Sequence, residues 1–223
     1  MGELIEVKRP DGKTCPAYLA EAKAGASAPG FVMIQEWWGL NDQIKGMADR
    51  LAGEGYRVLV PDLYRGRKAA TPDEAGALMG ALDFADAGKQ DVRGCVQHLK
   101  KTSAKVAVGG FCLGGAVTVI AAVHVPEADA SVCFYGIPPI AVADPAHVKK
   151  PFQGHFANID DWCTPAAVDD LEKALAKSGA SFEIHRYQAH HAFMNASRPD
   201  VYDEACADLA WQRTKEFLAR TLR

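Results

Sequence analysis

The sequence predicts an α/β protein with a mostly parallel central sheet, an N-terminal antiparallel hairpin and helices on both faces. From residue 31 onward, apolar segments of strand length alternate with helical segments, as happens when right-handed crossovers join parallel strands. An apolar segment such as residues 31–34 has no polar alternation, which is typical of a strand covered on both faces. A glycine-rich junction also joins one apolar strand directly to a helix of small residues at 105–123.

The first half of the chain begins with the hairpin, whose two strands flank the turn Arg9-Pro10-Asp11-Gly12. Asn41 is expected to cap the first helix. Thr71 and Glu74 form a capping box at the start of another helix, with Pro72 at its first position. The predicted strands are residues 4–7, 14–19, 31–35, 57–61 and 105–108, and the predicted helices are residues 42–51, 72–82, 90–100 and 113–123.

The second half continues the alternation. Thr164-Pro165 is expected to begin a helix that Gly179 ends. The predicted strands are residues 130–135, 152–157 and 182–187, and the predicted helices are residues 165–178 and 201–222. A polar loop, residues 188–193, follows the last strand. Because the chain shows no internal repeat and no shift of composition, we interpret residues 1–223 as one domain.

Composition excludes several classes of partner. The chain has a formal net charge of −3, so neither nucleic acid nor an anionic membrane is expected to bind it. The N-terminus lacks the basic and apolar regions of a signal peptide, and no apolar run reaches the ~18 residues needed to cross a bilayer. We therefore expect a cytoplasmic protein, a monomer or a small homo-oligomer, that acts on a small molecule.

The spacing of the cysteines predicts neither a disulfide framework nor a zinc site. All six are scattered and no C-x-x-C occurs, which argues against a zinc site and against structural disulfides. The sequence also lacks clustered metal-ligand motifs and a dinucleotide fingerprint. We expect neither a metal nor an organic cofactor.

One cysteine has a context that suggests chemistry. Gly110-x-Cys112-x-Gly114 joins the strand at 105–108 to the helix at 113–123, and this is the spacing of a nucleophile elbow with Cys in place of Ser. The flanking residues must be small because strand and helix approach each other closely at such a turn. The helix N-terminus behind the thiol favours a thiolate. The alternative is a glycine-rich connection around a buried, inert cysteine.

Other reactive residues follow the predicted parallel strands. In such a sheet the carboxyl ends of the strands form the active-site edge. The candidates there are Glu36, Cys112, Asp160 or Asp161, and His191 or His190. Nucleophile, acid and histidine occur in that order, which is an order known for hydrolytic triads. A thiol is activated by a histidine, and the histidine needs a carboxylate to fix its tautomer.

Two backbone N–H groups are candidates for an oxyanion hole. The N–H of Leu113 directly follows the nucleophile, and the N–H of Trp37 lies just after the strand at 31–35. Donors in these two places would stabilise the oxygen that becomes negative during acyl transfer.

The motifs resemble those of the dienelactone hydrolase (carboxymethylenebutenolidase-like) family of α/β-hydrolases. The matching segments begin with Gln35-Glu36-Trp37-Trp38-Gly39-Leu40-Asn41 and Val60-Pro61-Asp62-Leu63-Tyr64. They continue with Gly109-Gly110-Phe111-Cys112-Leu113-Gly114-Gly115, residues 157–165 and residues 187–193. The resemblance covers the chain from about residue 5 to its end. It implies an α/β-hydrolase fold and a carboxylic ester hydrolase that cleaves small lactones or esters through a thioester.

The resemblance also implies roles for individual residues. It indicates a Cys112–His191–Asp160 triad, with Glu36 as a fourth participant that helps to generate the thiolate when substrate binds. His191 matches the family pattern Ala-Gly-His-x-Phe, with His190 where glycine is usual. Asp160 fits the end of a degenerate Gly-x-x-Asp motif, and Asp161 is its rival.

The chain departs from the family at one position. Members that hydrolyse dienelactone carry arginines that hold the substrate carboxylate, one of them four residues after the catalytic histidine. Here that position is Asn195, and a neutral amide cannot make charge-assisted, bidentate hydrogen bonds to a carboxylate. We therefore expect poor activity on dienelactone relative to neutral lactones or esters, unless another arginine reaches the site. The candidates are Arg65, Arg67 and Arg198.

Two other functions compete with this one. Class I glutamine amidotransferases also place a cysteine on a Gly-x-Cys-x-Gly elbow, but they require a His-x-Glu pair, whereas Phe193 stands two residues after His191. The second alternative is a non-catalytic or redox-sensing hydrolase-fold protein that uses Cys112.

Overall fold

The computed structural model describes residues 2–223. Its strands are β1 (Glu3–Lys8), β2 (Thr14–Ala20), β3 (Gly30–Ile34), β4 (Arg57–Pro61), β5 (Val106–Phe111), β6 (Ala130–Phe134), β7 (Phe152–Ile159) and β8 (Phe182–His190). Its α-helices are α1 (Asp42–Gly53), α2 (Pro72–Gly80), α3 (Phe84–Asp86), α4 (Arg93–Leu99), α5 (Leu113–His124), α6 (Pro165–Ser178) and α7 (Glu204–Leu222). A π-helical segment, Ala87–Val92, joins α3 to α4.

The strands form one eight-stranded sheet in the order β1-β2-β4-β3-β5-β6-β7-β8. The strands β4, β3, β5, β6, β7 and β8 are parallel to one another, whereas β1 pairs antiparallel with β2, and β2 pairs antiparallel with β4. The α/β prediction with an N-terminal hairpin is thereby confirmed. Parallel strands recur because each crossover carries the chain back over a face of the sheet.

Helices cover both faces of the sheet, and residue alternation in β3 shows how. Phe31 and Met33 pack in a cluster with α1 and α7, whereas Val32 and Ile34 pack in a cluster with α4 and α5. A third cluster joins α6 to β7 and α5. Every residue of β3 is therefore buried, which explains why its sequence shows no polar alternation.

The sequence signals for helix ends correspond to observed caps. Asn41 accepts a hydrogen bond from the N–H of Ile44 at 3.1 Å, and the Thr71–Glu74 capping box is complete. Gly179 ends α6 with φ of 75°, a left-handed conformation that glycine adopts without steric cost.

Two elements differ from the prediction. The helical stretch expected at 90–100 begins earlier, because the side chain of Asp83 caps the N–H of Asp86 and a π-helical turn then links α3 to α4. The strand β8 extends to His190, so half of the predicted loop at 188–193 is strand. A register irregularity between β7 and β8 allows this extension by pairing Ile159 with His190.

Strand register brings the carboxyl ends of the parallel strands to one edge. Ile34 pairs with Gly110, and Phe111 pairs with Phe134. The segments that begin at Gln35, Cys112 and Tyr135 therefore leave the sheet side by side, and the end of β7 follows at Ile159. Within residues 2–223, no helix is both long and apolar enough to cross a lipid bilayer.

Candidate active site

Cys112 occupies a strained turn between β5 and α5. Its φ and ψ are 56° and −116°, a region that costs about 1–3 kcal/mol for a residue with a side chain. A Cβ on Gly110 would lie 2.5 Å from the carbonyl oxygen of Gly114, and a Cβ on Gly114 would lie 2.5 Å from that of Ile34. Gly110 and Gly114 therefore occupy positions where two backbone segments approach too closely for a Cβ atom. The Cys112 N–H is held by the carbonyl of Phe134 at 3.0 Å.

The thiol of Cys112 is nearly enclosed, with the residue 6% exposed. Burial raises the pKa of this thiol, and the nearby Glu36 carboxyl adds to the rise. His191 and the N–H of Leu113 both lower this pKa. A thiolate at this position thus depends on those two partners.

His191 is held by a buried carboxylate. Its Nδ1 lies 2.7 Å from Oδ2 of Asp160, whose side chain has no exposed surface. The other oxygen of Asp160 accepts hydrogen bonds from the N–H groups of Trp162 at 2.7 Å and Cys163 at 2.9 Å. All contacts of the carboxylate therefore favour its charged form.

The pKa values of the His191–Asp160 pair reflect this contact. Burial alone would lower the pKa of His191, but the hydrogen bonds and charges of Asp160 and Cys112 outweigh burial and raise it. Burial likewise opposes ionisation of Asp160, yet His191 and the two N–H donors lower the pKa of that carboxyl. The raised pKa favours the protonated imidazole of His191, and the lowered pKa favours the ionised carboxylate of Asp160.

The rival residues lie at the edge of the site. Asp161 and His190 are exposed, whereas Asp160 is buried and His191 is half-buried. His190 is the last residue of β8, and the turn that follows, with Ala192 at φ of 65°, redirects the chain. Among the four residues, Asp160 and His191 are the pair in contact.

Glu36 is buried in the lining of the site that contains Cys112, and two side chains hold it. Asn195 donates a hydrogen bond from Nδ2 to Oε2 of Glu36 at 2.5 Å, and the hydroxyl of Tyr135 donates to Oε1 at 3.3 Å. Burial raises the pKa of Glu36, although both hydrogen bonds and the charge of His191 oppose the rise. Glu36 thus favours its neutral form more than an exposed glutamate does.

Asn195 faces inward and has no exposed surface. Its Oδ1 accepts hydrogen bonds from the N–H of Ser197 at 3.0 Å and the hydroxyl of Ser197 at 2.6 Å. The Nδ2 atom of Asn195 therefore donates to Glu36, and its Oδ1 atom accepts from Ser197. Sequence reasoning treated this position as a missing substrate contact, whereas the structure makes it a support for Glu36.

Tyr135 is a second residue that sequence reasoning missed. It directly follows β6 with φ of 37°, and its ring centroid lies 5.1 Å from that of His191 in an edge arrangement. The signal available in the sequence was its place after an apolar strand, at the same edge as Cys112. The residue contacts both the Glu36 and the His191 sides of the site.

Two N–H groups remain available for an oxyanion. Among residues 2–223, the N–H groups of Leu113 and Trp37 donate to no backbone carbonyl. Leu113 is the first residue of α5, where an N–H has no partner within its own helix. This N–H directly follows Cys112 in the chain and lowers the pKa of its thiol.

A cavity of about 380 Å³ opens above this arrangement, and we call it the histidine cavity. Trp37, Trp38 and Trp162 form its aromatic wall, while Cys112 and His191 lie in it. Trp37 and Trp162 meet with ring centroids 6.3 Å apart. The histidine cavity has the size and the mixture of apolar walls and few polar groups that are typical of small-molecule sites.

Of the three candidate arginines, Arg198 is the one that lines the histidine cavity. Its guanidinium is paired with Asp200 and lies 5.8 Å from the ring centroid of Trp38. Arg65 instead binds Asp91 at 2.7 Å. Arg67 lines a different surface depression.

Residues 2–223 contain no group of three or more His, Cys, Asp or Glu side chains arranged to hold a metal ion. Cys112 and the other five cysteines are free thiols.

Comparison with known proteins shows the family. The model of the dienelactone hydrolase family matches residues 15–222. "Protein usf" of Aquifex pyrophilus is 36% identical, and a protein of Aquifex aeolicus (strain VF5) named "Putative carboxymethylenebutenolidase" is 32% identical, each with 100% of both chains covered. A crystal structure from Klebsiella pneumoniae, named "Putative Dienelactone Hydrolase", is 25% identical with a TM-score of 0.87 over 98% of each chain. The chain therefore belongs to the dienelactone hydrolase family and is, as the sequence predicts, a carboxylic ester hydrolase.

Proposed function

We propose that the protein hydrolyses small lactones or esters through a thioester on Cys112, with His191 as general acid and base and Asp160 as the residue that orients His191. The observation that carries the proposal is the contact between Asp160 and His191 in a cavity that also contains the thiol. Oδ2 of Asp160 lies 2.7 Å from Nδ1 of His191, and Cys112, on its strained elbow, lines the same cavity as this imidazole.

In the first half-reaction the Cys112 proton moves to Nε2 of His191, and Sγ attacks the carbonyl carbon of the ester. The carbonyl oxygen becomes negative and accepts hydrogen bonds from the N–H groups of Leu113 and Trp37. The tetrahedral intermediate then collapses. The bond to the leaving oxygen breaks, that oxygen takes the proton from His191, and the acyl group remains on sulfur as a thioester.

In the second half-reaction a water molecule gives a proton to His191 as its oxygen attacks the thioester carbon. Collapse of the second intermediate breaks the C–S bond and releases the carboxylic acid, and the sulfur recovers its proton. Asp160 stays ionised throughout, since it is needed to hold Nδ1 protonated and leave Nε2 free for both transfers.

Glu36 acts on the protonation state of Cys112. A charged carboxylate beside the sulfur would raise the pKa of the thiol. Because burial favours the neutral form of Glu36, the carboxyl can remain beside the thiol with a smaller penalty on the thiolate. Asn195 and Tyr135 keep it in that position.

Membership in the dienelactone hydrolase family favours this function over a glutamine amidotransferase. The substrate proposed for this chain is a neutral lactone or ester rather than dienelactone itself. Asn195 is turned inward, and the guanidinium of Arg198 is already paired with Asp200. A substrate carboxylate in the histidine cavity would therefore compete with Asp200 for the guanidinium of Arg198.

The test is mass spectrometry of enzyme quenched during turnover of p-nitrophenyl acetate. We expect an acetyl adduct on Cys112 and no turnover by Cys112→Ala. Cys206→Ala serves as a matched control, because Cys206 is a partly exposed free thiol on α7 that does not line the histidine cavity, and this variant should retain full activity. An adduct on another residue, or loss of activity on addition of a chelator, would contradict the proposal.

A further inference from the structure

A second cavity, of about 430 Å³, also reaches Cys112, and we call it the apolar cavity. It shares two lining residues with the histidine cavity, namely Cys112 and Trp162. The thiol thus lies at the junction of two cavities, and the exposed indole of Trp162 borders both. A substrate attached to Cys112 can extend into each cavity from the same carbon atom.

The walls of the two cavities differ in chemistry. The histidine cavity contains Asp161, His190 and Arg198 in addition to its catalytic candidates. The apolar cavity has no charged side chain in its lining. Its outer wall consists of Met79, Leu82, Phe84, Ile137, Pro138 and Pro139.

These apolar residues come from two segments that frame the cavity. Met79, Leu82 and Phe84 are half-buried and pack from the end of α2 and the start of α3 against the core cluster under α5. Ile137 follows β6 and is also half-buried. The floor is Leu113 and Ala116 of α5, one turn from the thiol. Partly exposed apolar walls around a nucleophile favour an apolar ligand group, since its burial removes both surfaces from water.

The proton path decides which part of an ester enters which cavity. The leaving oxygen must take its proton from His191, and His191 lines the histidine cavity but not the apolar cavity. The leaving group must therefore project into the histidine cavity. The remaining substituent of the carbonyl carbon is the acyl chain, and the open direction left for it is the apolar cavity, next to the Leu113 N–H.

We propose that the apolar cavity is the acyl-binding site and that the substrate is an open-chain ester or thioester with an apolar acyl chain. This inference rests on the proposed function of Cys112 and deepens it. In a small lactone, acyl chain and leaving oxygen belong to one ring and cannot separate into two cavities before the ring opens. An open-chain ester can fill both at once.

The first experiment measures kcat/KM for p-nitrophenyl esters from acetate to octanoate, which vary the acyl chain and keep the leaving group constant. Each methylene buried in the apolar cavity should raise kcat/KM by up to about fourfold, which corresponds to ~0.8 kcal/mol. The rise should stop when the chain fills the cavity. A second series, acetates of alcohols of increasing length, should show a weaker dependence on length. A flat or falling acyl series would overturn the acyl-site proposal.

The second experiment uses a matched pair of variants. Leu82→Trp narrows the apolar cavity, and Ile159→Trp narrows the histidine cavity, where Ile159 is exposed and belongs to its lining. Leu82→Trp should lower kcat/KM for octanoate at least ~10-fold relative to acetate, whereas Ile159→Trp should leave that ratio unchanged and impair long alcohols. Leu209→Trp, at an exposed position of α7 outside both linings, is the control that should change neither ratio.

The remaining outcomes also decide the proposal. If Leu82→Trp does not fold, as judged by thermal unfolding, Phe84→Ala gives the converse test, because an enlarged apolar cavity should shift the optimum to longer acyl chains. If Ile159→Trp, and not Leu82→Trp, blocks long acyl chains, the acyl chain lies in the histidine cavity and the proposal is wrong. If no ester is turned over through Cys112, the proposed function fails first, and the quenched-enzyme spectrum shows that separately.

Discussion

Asp160 and Glu36 are two buried carboxyl groups that line the same cavity as Cys112 and His191, and their pKa values shift in opposite directions. Asp160 accepts two backbone N–H bonds and contacts His191, and its pKa is lowered. Glu36 is held by a neutral amide and a phenol, and burial raises its pKa. Burial alone therefore does not set the charge of a carboxyl group. The number and kind of hydrogen-bond donors around it also determine its pKa, so two buried carboxyl groups can have different roles.

The largest effect is expected at Asp160. Asp160→Asn removes the charge that keeps His191 in its working tautomer, so we expect kcat/KM to fall by about 10³–10⁴. Asp161→Asn is the matched control, because Asp161 is exposed and the two variants make the same chemical change at neighbouring positions. Steady-state kinetics on p-nitrophenyl acetate compares them. Equal losses in both variants would contradict the assignment of Asp160.

Substitution of His191 and of its neighbour His190 tests the partner of Asp160. His191→Ala should lower kcat/KM by at least ~10³, because the imidazole serves both half-reactions. His190→Ala changes an exposed residue at the end of β8 and should cost far less. The check is again kcat/KM, with the thermal midpoint recorded for both variants. If His190→Ala had the larger effect, His190 would be the general base.

Glu36→Gln tests the raised pKa of Glu36 through the pH dependence of the free energy of unfolding. The pKa of Glu36 is raised in the folded state, so as the pH rises above its unfolded value of ~4.5 the native protein holds a proton that the unfolded chain has lost. Stability falls through that window, by about 1.4 kcal/mol for each unit of difference. The neutral glutamine should remove this dependence. Urea unfolding at pH 5 and pH 8 measures it, and an unchanged slope in the variant would show that Glu36 is not the titrating group.

The same linkage has the reverse sign for Asp160. Its pKa is lowered by folding, so its stabilisation is present above the unfolded value near 3.9 and is lost as the pH falls through the folded value. Asp160→Asn should therefore make the protein less sensitive to acid, whereas Glu36→Gln should change the neutral and alkaline range. The two unfolding profiles separate the carboxyl groups without any substrate.

Asn195 connects Glu36 to its surroundings, and its substitution has a smaller expected effect. Asn195→Ala leaves Glu36 with the Tyr135 donor and should destabilise the fold by about 1–3 kcal/mol, with kcat affected more than KM. Asn195→Arg should not create an anion site, because the position has no exposed surface. Thermal unfolding and kcat/KM for an anionic and a neutral lactone test both variants. A gain on the anion in Asn195→Arg would overturn this.

The smallest effect is expected at Arg198, on the rim of the histidine cavity. Its guanidinium is paired with Asp200, so the negative charge of Asp200 weakens its attraction for a substrate anion. Arg198→Gln should raise KM for dienelactone only a few-fold and leave a neutral lactone of similar size unchanged. The wild type should prefer the neutral lactone. A clear preference for the anion that Arg198→Gln abolishes would show that Arg198 supplies the substrate contact.

The architecture follows from patterns that are visible in the sequence. Short apolar strands alternating with helices required a covered, parallel sheet, and the turn at 9–12 required the hairpin. At the Gly110-x-Cys112-x-Gly114 motif, the glycines allow close backbone contact and Cys112 takes a positive φ. These are local properties of a chain, which is why periodicity and spacing report them.

The contacts between side chains, in contrast, depend on how the whole chain packs. Asp160 and Asp161 are adjacent in sequence, and the folded chain places Asp160 within hydrogen-bond distance of His191. Asn195 and Glu36 are far apart along the chain, so no local pattern shows that the amide binds the carboxyl. The pKa directions, the pairing of Arg198 and the two cavities at Cys112 depend in the same way on burial and on distant neighbours, because electrostatics and shape are properties of the packed site and not of the chain.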